Sequence, residues 1–546
     1  MNGAAAMAEI LKREGTEFLS CYPRNPVIEE GAKIGIRPIL CRQERVGVGI
    51  ADGFTRIMRG RKNGVFAAQA GPGIENAFPG IAQAYAENVP ILIIAGGQRL
   101  DRQYTRPTFG AAEVYKPITK WAARIHDVKQ IPDIMRRAYH ALRSGKGGPV
   151  LLEVPDEVWN GVLAGPLDYT PVARIRTGPD PKAIEDAARI LTEAENPIIF
   201  AGQGVLYADA SDELVKFAMA LPAPVMTTNP GKSAFPESHP LSLGASTSSA
   251  PRPLFDYMKK ADVVFAIGSS LTRTPFGPGV PAGKRIVHAT NHEDDINKDY
   301  RVECGVVGDA KLVLEALNAE IGRDRRRRNP RRDAESLGKE VRGAKEAWRK
   351  EWMGRLTSSE VPINPYRVLW DLMNTADRDK MIVTHDSGSP REQTIPLWEC
   401  TVAGSYMGWG KSTQLGYGLG INMGAKLAAP DKLCVNFMGD SAIGMTGMDL
   451  ETAARNGIAT LTIVLNNGVM AAERDVLKVA TERYGALTVG GNYSKVAEGL
   501  GVASVRVEAP DGIVPGIKKA IDTVHSGKPF LLEFLTKQNY EFSRYS

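Results

Sequence analysis

The chain has 546 residues, of which 43% are hydrophobic and 24% charged, a balance typical of a globular protein with two to four domains. The net charge of +6 is small for this length and owes much to one arginine cluster, so it does not indicate nucleic-acid binding. The five cysteines are scattered without a CxxC pair, the N-terminus lacks the basic-then-apolar order of a signal peptide, and no apolar run is long enough to span a membrane. We therefore expect a cytoplasmic protein with no membrane or nucleic-acid partner.

The first unit, residues 1–165, alternates helices with short apolar strands, which is typical of a parallel sheet. A helix is predicted at 3–14, and strands are predicted in "TEFLSCYP" and "IRPILCRQE". A helix from about Arg45 to Arg59 precedes "GVFAAQAGPG", which predicts a strand that runs into a glycine turn. Another helix, from about Glu75 to Glu87, leads to the strand "PILIIAGG", and "GPVLLEVPDEV" closes the unit.

Two further units follow. Residues 180–322 contain four short apolar strands, "NPIIFAGQG", "APVMTT", "ADVVFAIGSS" and "KRIVHATN", and residues 323–360, an arginine-rich run with a polar helix, are predicted as a linker. The third unit, residues 361–536, contains the strands "KMIVTHDSG", "KLCVNFMGD", "ATLTIVLNN" and "KPFLLEFLT". The whole pattern predicts the α/β fold class with three doubly wound parallel-sheet domains, of which the first and third share a layout.

The third unit carries the clearest site. The strand "KLCVNFMGD" ends in Gly439 and Asp440, and "ATLTIVLNN" ends 27 residues later in Asn467, with a helix between them. Since ligands bind beyond the carboxyl ends of parallel strands, Asp440 and Asn467 are expected side by side at one sheet edge. Their oxygens suit Mg²⁺ or Ca²⁺, and the backbone N–H groups of Ser441 and Ala442 can meet an anion. The pattern predicts a metal–diphosphate clamp; the alternative is a capped helix and a turn.

"GDS…NN" resembles the thiamine diphosphate motif of the acetolactate synthase-like superfamily, and the resemblance extends over nearly the whole chain. It implies a pyrimidine-binding domain, a central domain and a diphosphate-binding domain, in that order. It also implies that Asp440 and Asn467 bind Mg²⁺ together with the backbone carbonyl of Val469, and that the following residues contact the cofactor: Gly439, Asp440, Ser441, Ala442 and Asn467.

A second anchor lies in the first unit. "CRQERVGVGIADGFTR" resembles the family stretch that contains the catalytic glutamate, and Glu44 is the matching acid. The resemblance implies that Glu44 binds the aminopyrimidine of the cofactor and moves a proton there. Burial at a strand end would raise its pKa, as this role requires. Gln43 stands where histidine is common, so no histidine role is expected at that position.

Two more stretches match the family. "THDSGS" ends another strand of the third unit, and its Ser387, Gly388 and Ser389 are expected to hold diphosphate oxygens through the backbone. "GWGKSTQLGYGLG" resembles the glycine-rich stretch before the diphosphate motif. Leu415 falls where the family places a bulky apolar residue under the cofactor; as a lone residue it would more often be core.

The form "GDSAIGMTGMDLET" resembles the branch of oxalyl-CoA decarboxylase and 2-hydroxyacyl-CoA lyase. It implies a lyase that cleaves the C1–C2 bond of a 2-hydroxyacyl-CoA to formyl-CoA and an aldehyde or ketone, reversible as a carboligation, with an acyl-CoA as substrate. The alternatives are an acetolactate synthase-like carboligase or a 2-oxo acid decarboxylase acting on pyruvate or oxalyl-CoA, and a cofactor-binding remnant with a regulatory role. The intact acids Glu44 and Asp440 argue against the remnant.

The central unit could hold a second nucleotide, because "AGQG" and "NHEDD" lie where family members bind one. ADP, FAD, the adenosine of CoA and no ligand at all remain open. Glu473 and Arg474 are polar candidates beside the reaction centre, although a solvated helix face is the simpler interpretation.

Assembly and the C-terminus give two further expectations. In this family the two ends of one cofactor are held by different subunits, which implies a homodimer or homotetramer. The tail at 537–546 follows the last strand and mixes aromatic with basic residues, so it is a candidate lid over an acyl-CoA; a frayed end is the competing interpretation.

Overall fold

The computed structural model describes residues 1–277, 279–323 and 333–545. It contains three six-stranded sheets, one in each predicted unit. In all three sheets, neighbouring strands pair in parallel. Helices connect the strands, which confirms the predicted α/β class with three parallel-sheet domains. The arginine run at 325–332 lies outside the described residues.

The first domain contains seven α-helices and the first sheet. Its strands are β1 (Phe18–Cys21), β2 (Arg37–Leu40), β3 (Val65–Ala68), β4 (Leu92–Gly97), β5 (Trp121–Arg124) and β6 (Val150–Pro155). Its helices are α1 (Gly3–Arg13), α2 (Pro26–Lys33), α3 (Glu44–Ile57), α4 (Pro72–Ala86), α5 (Ala111–Tyr115), α6 (Ile131–Arg143) and α7 (Asp156–Asn160). Helix α4 begins three residues before the predicted start, because Pro72 occupies its first position and Gly71 turns the chain with φ +64°.

The central domain contains the second sheet. Its strands are β7 (Pro197–Ala201), β8 (Val225–Thr228), β9 (Ser242–Ser246), β10 (Val263–Ile267), β11 (Arg285–Thr290) and β12 (Cys304–Val307). Its helices are α8 (Pro181–Glu193), α9 (Gln203–Tyr207), α10 (Ser211–Ala220), α11 (Arg252–Lys260) and α12 (Ala310–Arg323). Helix α13 (Ala334–Leu356) follows in the predicted linker and packs on both neighbouring domains, since it buries Val341 against the central core and Trp348 against the third.

The third domain contains the last sheet. Its strands are β13 (Met381–His385), β14 (Tyr406–Met407), β15 (Leu433–Gly439), β16 (Leu461–Asn466), β17 (Ala503–Val507) and β18 (Phe530–Leu535). Its helices are α14 (Pro365–Thr375), α15 (Ser389–Leu397), α16 (Tyr417–Ala428), α17 (Asp440–Thr446), α18 (Leu450–Asn456), α19 (Lys478–Tyr484), α20 (Tyr493–Gly499) and α21 (Ile513–His525).

The strand orders explain where ligands can bind. The first sheet runs β2-β1-β3-β4-β6-β5 and the third runs β14-β13-β15-β16-β18-β17, so both follow the same order and the predicted likeness of layout is found. The central sheet runs β12-β11-β10-β7-β8-β9. Strand order reverses between β13 and β15 in the third sheet and between β7 and β10 in the central one. Such reversal points open a crevice beyond the carboxyl ends of the strands.

The first and third domains meet through the helices α3 and α16. A Cβ added to Gly53 of α3 would overlap the carbonyl oxygen of Ile421, and one added to Gly424 of α16 would overlap that of Ile50. The two helix backbones are therefore in direct contact, which only glycine at these positions permits.

Among the described residues, no helix is long and apolar enough to cross a membrane.

Candidate active site

A cavity lies beyond the ends of β13 and β15, at the reversal point of the third sheet; we call it the third-domain cavity. All residues predicted on the third domain line it, namely Ser387, Gly388, Ser389, Leu415, Gly439, Asp440, Ser441, Ala442, Asn467 and Val469. They come from three separate strand ends and one glycine-rich loop, so the fold brings together what the chain separates. Their roles toward a cofactor stay predictions.

Asp440 is the central acid of this cavity. Its side chain is 3% exposed, and its carboxylate accepts hydrogen bonds from the backbone N–H groups of Asn467 at 3.1 Å and Gly468 at 2.7 Å. Burial raises the pKa of Asp440, whereas these N–H donors and that of Ser441 oppose the rise. The contact places the ends of β15 and β16 side by side, as the spacing of Asp440 and Asn467 predicts.

Asn467 and Val469 form a tight turn after β16. The Asn467 side-chain oxygen accepts the N–H of Val469 at 3.1 Å. In the part of the chain that the structure describes, no group of three or more His, Cys, Asp or Glu side chains is placed to hold a metal. A cation at Asp440 would therefore need amide, carbonyl, water or ligand oxygens to complete its shell, which is the manner in which Mg²⁺ is usually bound.

The start of helix α15 faces the same cavity. Its N-cap is Gly388 with φ +82°, and no side chain caps the helix. A Cβ added to Gly388, or to Gly439 before α17, would meet no atom within 4 Å. The backbone at both strand ends thus borders open space, and the uncapped N–H groups of α15 offer donors to an anion there.

Leu415 is held in the cavity wall by an acid that the sequence motifs do not single out. Asp386 is fully buried and accepts the N–H groups of Gly416 and Gly418, both at 2.9 Å. These bonds fix the loop that follows Leu415, and Gly416 makes the turn with φ +86°. Burial raises the pKa of Asp386 to about 6, while the three N–H groups that it accepts, including that of Ser387, lower it.

His385 is buried beneath this loop and is neutral. Its Nδ1 lies 3.0 Å from the carbonyl oxygen of Asp386, and its ring stacks on Trp409 with centroids 5.2 Å apart. Burial, and secondly the charge of Arg391, lower the pKa of His385 to about 3. His385 therefore supports the loop and carries no charge at neutral pH.

Glu44 is the first residue of α3 and is 4% exposed. Burial raises the pKa of its carboxyl, and hydrogen bonds with its own backbone and with Asn76 oppose the rise. Glu44 is not one of the described residues that line the third-domain cavity.

Exposed apolar side chains lie on α4 and on the segment around α17. They include Phe78, Met445 and Met448, which are 40–48% exposed.

The residues on both sides of Glu44 are hydrogen-bonded to the third domain of the same chain. The N–H of Arg42 donates to Asp449 at 2.8 Å, and the side chains of Gln43 and Arg45 donate to the carbonyl oxygen of Met445 at 3.1 and 2.7 Å. Burial raises the pKa of Asp449 to about 6. These hydrogen bonds hold the start of α3, and with it Glu44, against the third domain.

The candidates after Asn467 differ in position. Glu473 lines the third-domain cavity and is half-buried, whereas Arg474 is exposed and stacks on the Tyr540 ring of the tail at 3.7 Å. The tail itself is docked: Ser543 and Ala250 exchange two hydrogen bonds, and Tyr545 accepts one from Trp348 at 2.9 Å. Its role as a lid stays a prediction.

A second cavity opens at the reversal point of the central sheet, between β7 and β10; we call it the central cavity. Gly202, Gly204 and Gly268 line it, and a Cβ on Gly204 would lie 2.7 Å from the Cα of Gly268. The "AGQG" glycines therefore serve close backbone packing, whatever the cavity holds. Lys411 lines the same cavity with its Nζ 3.1 Å from Ser270.

Family models match all three domains. Residues 1–118 match the thiamine pyrophosphate enzyme N-terminal TPP binding domain, 184–317 the central domain and 386–534 the C-terminal TPP binding domain. Together these ranges cover most of the chain.

Named relatives are similar over nearly their whole length. A probable acetolactate synthase large subunit of Methanococcus aeolicus is 28% identical over 98% of this chain and 92% of its own. Glyoxylate carboligase of Escherichia coli O157:H7 is 27% identical over 95% and 90%, and sulfoacetaldehyde acetyltransferase of Rhodobacter capsulatus is 26% identical over 98% and 95%. The X-ray structure of a candidate thiamin diphosphate-dependent enzyme from Mycobacterium smegmatis has a TM-score of 0.81 at 23% identity, over 98% of this chain and 99% of that one, and supports the fold.

Proposed function

The chain belongs to the thiamine pyrophosphate-dependent enzymes, in the acetolactate synthase and carboligase family, and from this premise we propose that it is a carboligase acting on small 2-oxo acids. The observation that carries the proposal is the third-domain cavity, in which Asp440, Asn467, Leu415 and the uncapped start of α15 converge. That convergence suits an anionic, metal-bound cofactor whose reactive end projects into a partly apolar space.

The residues present fit thiamine diphosphate. The open backbone at Gly388 and Gly439 leaves room for the diphosphate, and Asp440, Asn467 and the carbonyl of Val469 would hold Mg²⁺. When bound, the cofactor supplies a nucleophilic thiazolium carbon and accepts the electron pair released when a bond beside the substrate carbonyl breaks.

The chain's own residues then have distinct tasks. Leu415, braced by the Asp386–Gly416 hydrogen bond, would support the cofactor from below and keep water away from its reacting end. Glu44, whose pKa is raised by burial, would hold and exchange a proton at the pyrimidine ring.

We also propose that the complete site needs a second copy of the chain. Glu44 lies outside the cavity that contains Asp440, and the exposed apolar side chains of Phe78, Met445 and Met448 offer a surface for a partner. In a homodimer, or a homotetramer built from it, Glu44 of one subunit would face the cavity of the other.

The relatives support a 2-oxo acid over a CoA thioester, since they include acetolactate synthases and a glyoxylate carboligase. Within "GMDLET", Asp449 accepts hydrogen bonds from the N–H of Arg42 and from the hydroxyl of Thr452, both at 2.8 Å, and Glu451 lies 3.5 Å from the guanidinium of Arg42. Both acids of this stretch thus contact the first domain of the same chain. A 2-hydroxyacyl-CoA lyase is the second candidate, supported by the remaining match of this stretch to that branch.

The test is turnover by the cofactor-loaded protein. The protein, supplied with thiamine diphosphate and Mg²⁺, is incubated separately with pyruvate, with glyoxylate and with a 2-hydroxyacyl-CoA, and products are identified by mass. We expect a coupled product and CO2 from a 2-oxo acid, and neither from the Asp440→Ala variant. Formyl-CoA from the thioester would establish the lyase instead, and no turnover in any arm would refute both candidates.

For the central cavity we propose a nucleotide such as ADP, with FAD or the adenosine of CoA as alternatives. Support comes from its place at a reversal point and from the basic residues that line it, Lys146, Arg174 and Lys411. Mass spectrometry of the denatured purified protein would reveal a retained nucleotide. We further propose that the protein works in the cytoplasm, which accords with its five free cysteines.

A further inference from the structure

Arg391 is a buried cation in the wall of the third-domain cavity. It occupies the third position of α15, its side chain is 5% exposed, and it lines the same cavity as Asp440 and Leu415. A charged group is rarely buried to this extent without a partner of opposite charge or a ligand.

The guanidinium is held in a fixed position. Its Nε donates to Glu392 at 2.9 Å, and its central carbon lies 4.7 Å from the centre of the Phe276 ring. Its Nη1 is buried and finds no acceptor among the described residues. Because a buried N–H without an acceptor is costly, this donor indicates that something absent from the chain itself accepts from it.

Glu392 does not cancel the charge of Arg391, because other groups share it. Its Oε2 accepts the hydroxyls of Thr247 at 2.8 Å and Ser248 at 2.6 Å, and lies 3.9 Å from Nη2 of Arg544 in the tail. One carboxylate thus serves two arginines, and the cluster retains a net positive charge beside the cavity.

The other basic residue among the described cavity-lining side chains is already paired, since Lys537 lies 2.7 Å from Glu360. Arg391 also contacts a neighbouring domain: Phe276, on which it rests, belongs to the central domain, and a Cβ on Gly410 would lie 3.3 Å from its Nη1. The cation therefore lies where the central domain meets the third.

We propose that Arg391 binds the carboxylate of the 2-oxo acid substrate and thereby selects anionic substrates over uncharged ones. The planar guanidinium matches a carboxylate, and Glu392, held by Thr247 and Ser248, keeps it in place. This inference rests on the proposed function, because it names the substrate group recognised at that site.

The experiment measures binding without turnover. Oxamate, an unreactive carboxylate of pyruvate size, and oxamide, its uncharged counterpart, are titrated calorimetrically into the protein loaded with thiamine diphosphate and Mg²⁺. We expect Arg391→Gln to weaken oxamate binding by roughly tenfold to hundredfold and to leave oxamide binding unchanged. Arg189→Gln, which removes an exposed arginine of α8, is the matched control and should bind oxamate normally.

The outcomes separate the possible causes. Equal oxamate affinity in the parent protein and Arg391→Gln, or no oxamate binding to the parent, overturns the inference. A parallel loss of thiamine diphosphate affinity overturns it too, because Arg391 would then hold the cofactor. Should Arg391→Gln not fold, the double variant Arg391→Gln/Glu392→Gln removes both buried charges and is measured in the same way. Oxamate binding that depends on Arg391 in a protein that converts neither pyruvate nor glyoxylate would support the anchor and refute the proposed function.

Discussion

Replacing Gly416 by alanine should disturb the cavity through one identifiable contact. Gly416 has φ +86°, and a Cβ there would lie 2.6 Å from Cγ2 and 2.7 Å from Oγ1 of Thr446. Thr446 is 1% exposed at the end of α17, and its hydroxyl donates to the carbonyl oxygen of Gly416 at 3.0 Å. Because the side chain of Thr446 cannot move into solvent, the loop after Leu415 must shift.

The cost has two parts. A left-handed conformation costs alanine about 1–2 kcal/mol, and forcing a methyl group into a filled space costs roughly 1–3 kcal/mol more, which together come to about 2–5 kcal/mol. Gly457 offers a matched control, because its φ is +62° and a Cβ there would meet no atom within 4 Å. Gly457→Ala should therefore cost only the first part, about 1–2 kcal/mol.

The assay compares thermal unfolding midpoints at one scan rate, together with thiamine diphosphate affinity by calorimetry. At roughly 2–4 °C per kcal/mol for a domain of this size, Gly416→Ala should lower the midpoint by at least about 4 °C and clearly more than Gly457→Ala. Only Gly416→Ala should weaken cofactor binding. Adding Thr446→Ala should recover part of the loss, with a coupling of about 1–3 kcal/mol. Equal shifts for the two glycine variants, or simple additivity with Thr446→Ala, would refute the reasoning.

Three further predictions concern the anchors, the metal and the tail. Glu44→Gln should retain cofactor and metal affinity but lose turnover, whereas Asp440→Ala should lose the affinity itself. Calorimetry and product assays on both variants, and on dimers mixed from them, test this. Mixed dimers without activity would contradict a shared site. Dialysis against EDTA should release thiamine diphosphate along with Mg²⁺ if Asp440 and Asn467 bind the metal, and retention of the cofactor in the dialysed protein would argue against that ligand set. Deleting 537–546 should lower the unfolding midpoint, because Ser543 and Tyr545 are docked, and should raise the KM if the tail is a lid. An unchanged KM in the folded deletion would remove that role.

The positions of site residues at strand ends could be predicted from the sequence, because they depend only on the neighbouring strand and helix pattern. Asp440 and Asn467 each follow a short apolar strand, and the period of strand, helix and strand places them together without knowledge of the rest of the chain. Gly388 follows a strand in the same way, whereas Leu415 is indicated by the family resemblance alone. The structure places all four at one cavity.

The contributions of Asp386 and Arg391 could not be predicted in this way, because they depend on contacts with residues far away in the sequence. Asp386 serves the loop at 416–418, and the neighbour of Arg391, Glu392, is shared with the central domain and the tail. The available signal was the charged run "HDSGSPRE" directly after a buried strand, since acids and arginines at such a point must find partners.

The "AGQG" stretch shows a pattern that has two physical explanations. Its glycines are compatible with a nucleotide loop, and Gly202 and Gly204 are also required because the backbone of Gly268 lies against them. A glycine pattern alone does not distinguish close backbone packing from ligand binding, as both require the absence of a Cβ.

The glycine contact between α3 and α16 limits how this enzyme can move and how it can be recombined. With backbone against backbone at Gly53 and Gly424, the two helices have no side-chain layer over which to slide, so the first and third domains should behave as one rigid body. Opening for substrate would then fall to the central domain or to the tail. A chimera that exchanges the first domain for that of a relative should fold only if α16 is exchanged with it, because each helix is shaped for the bare face of the other.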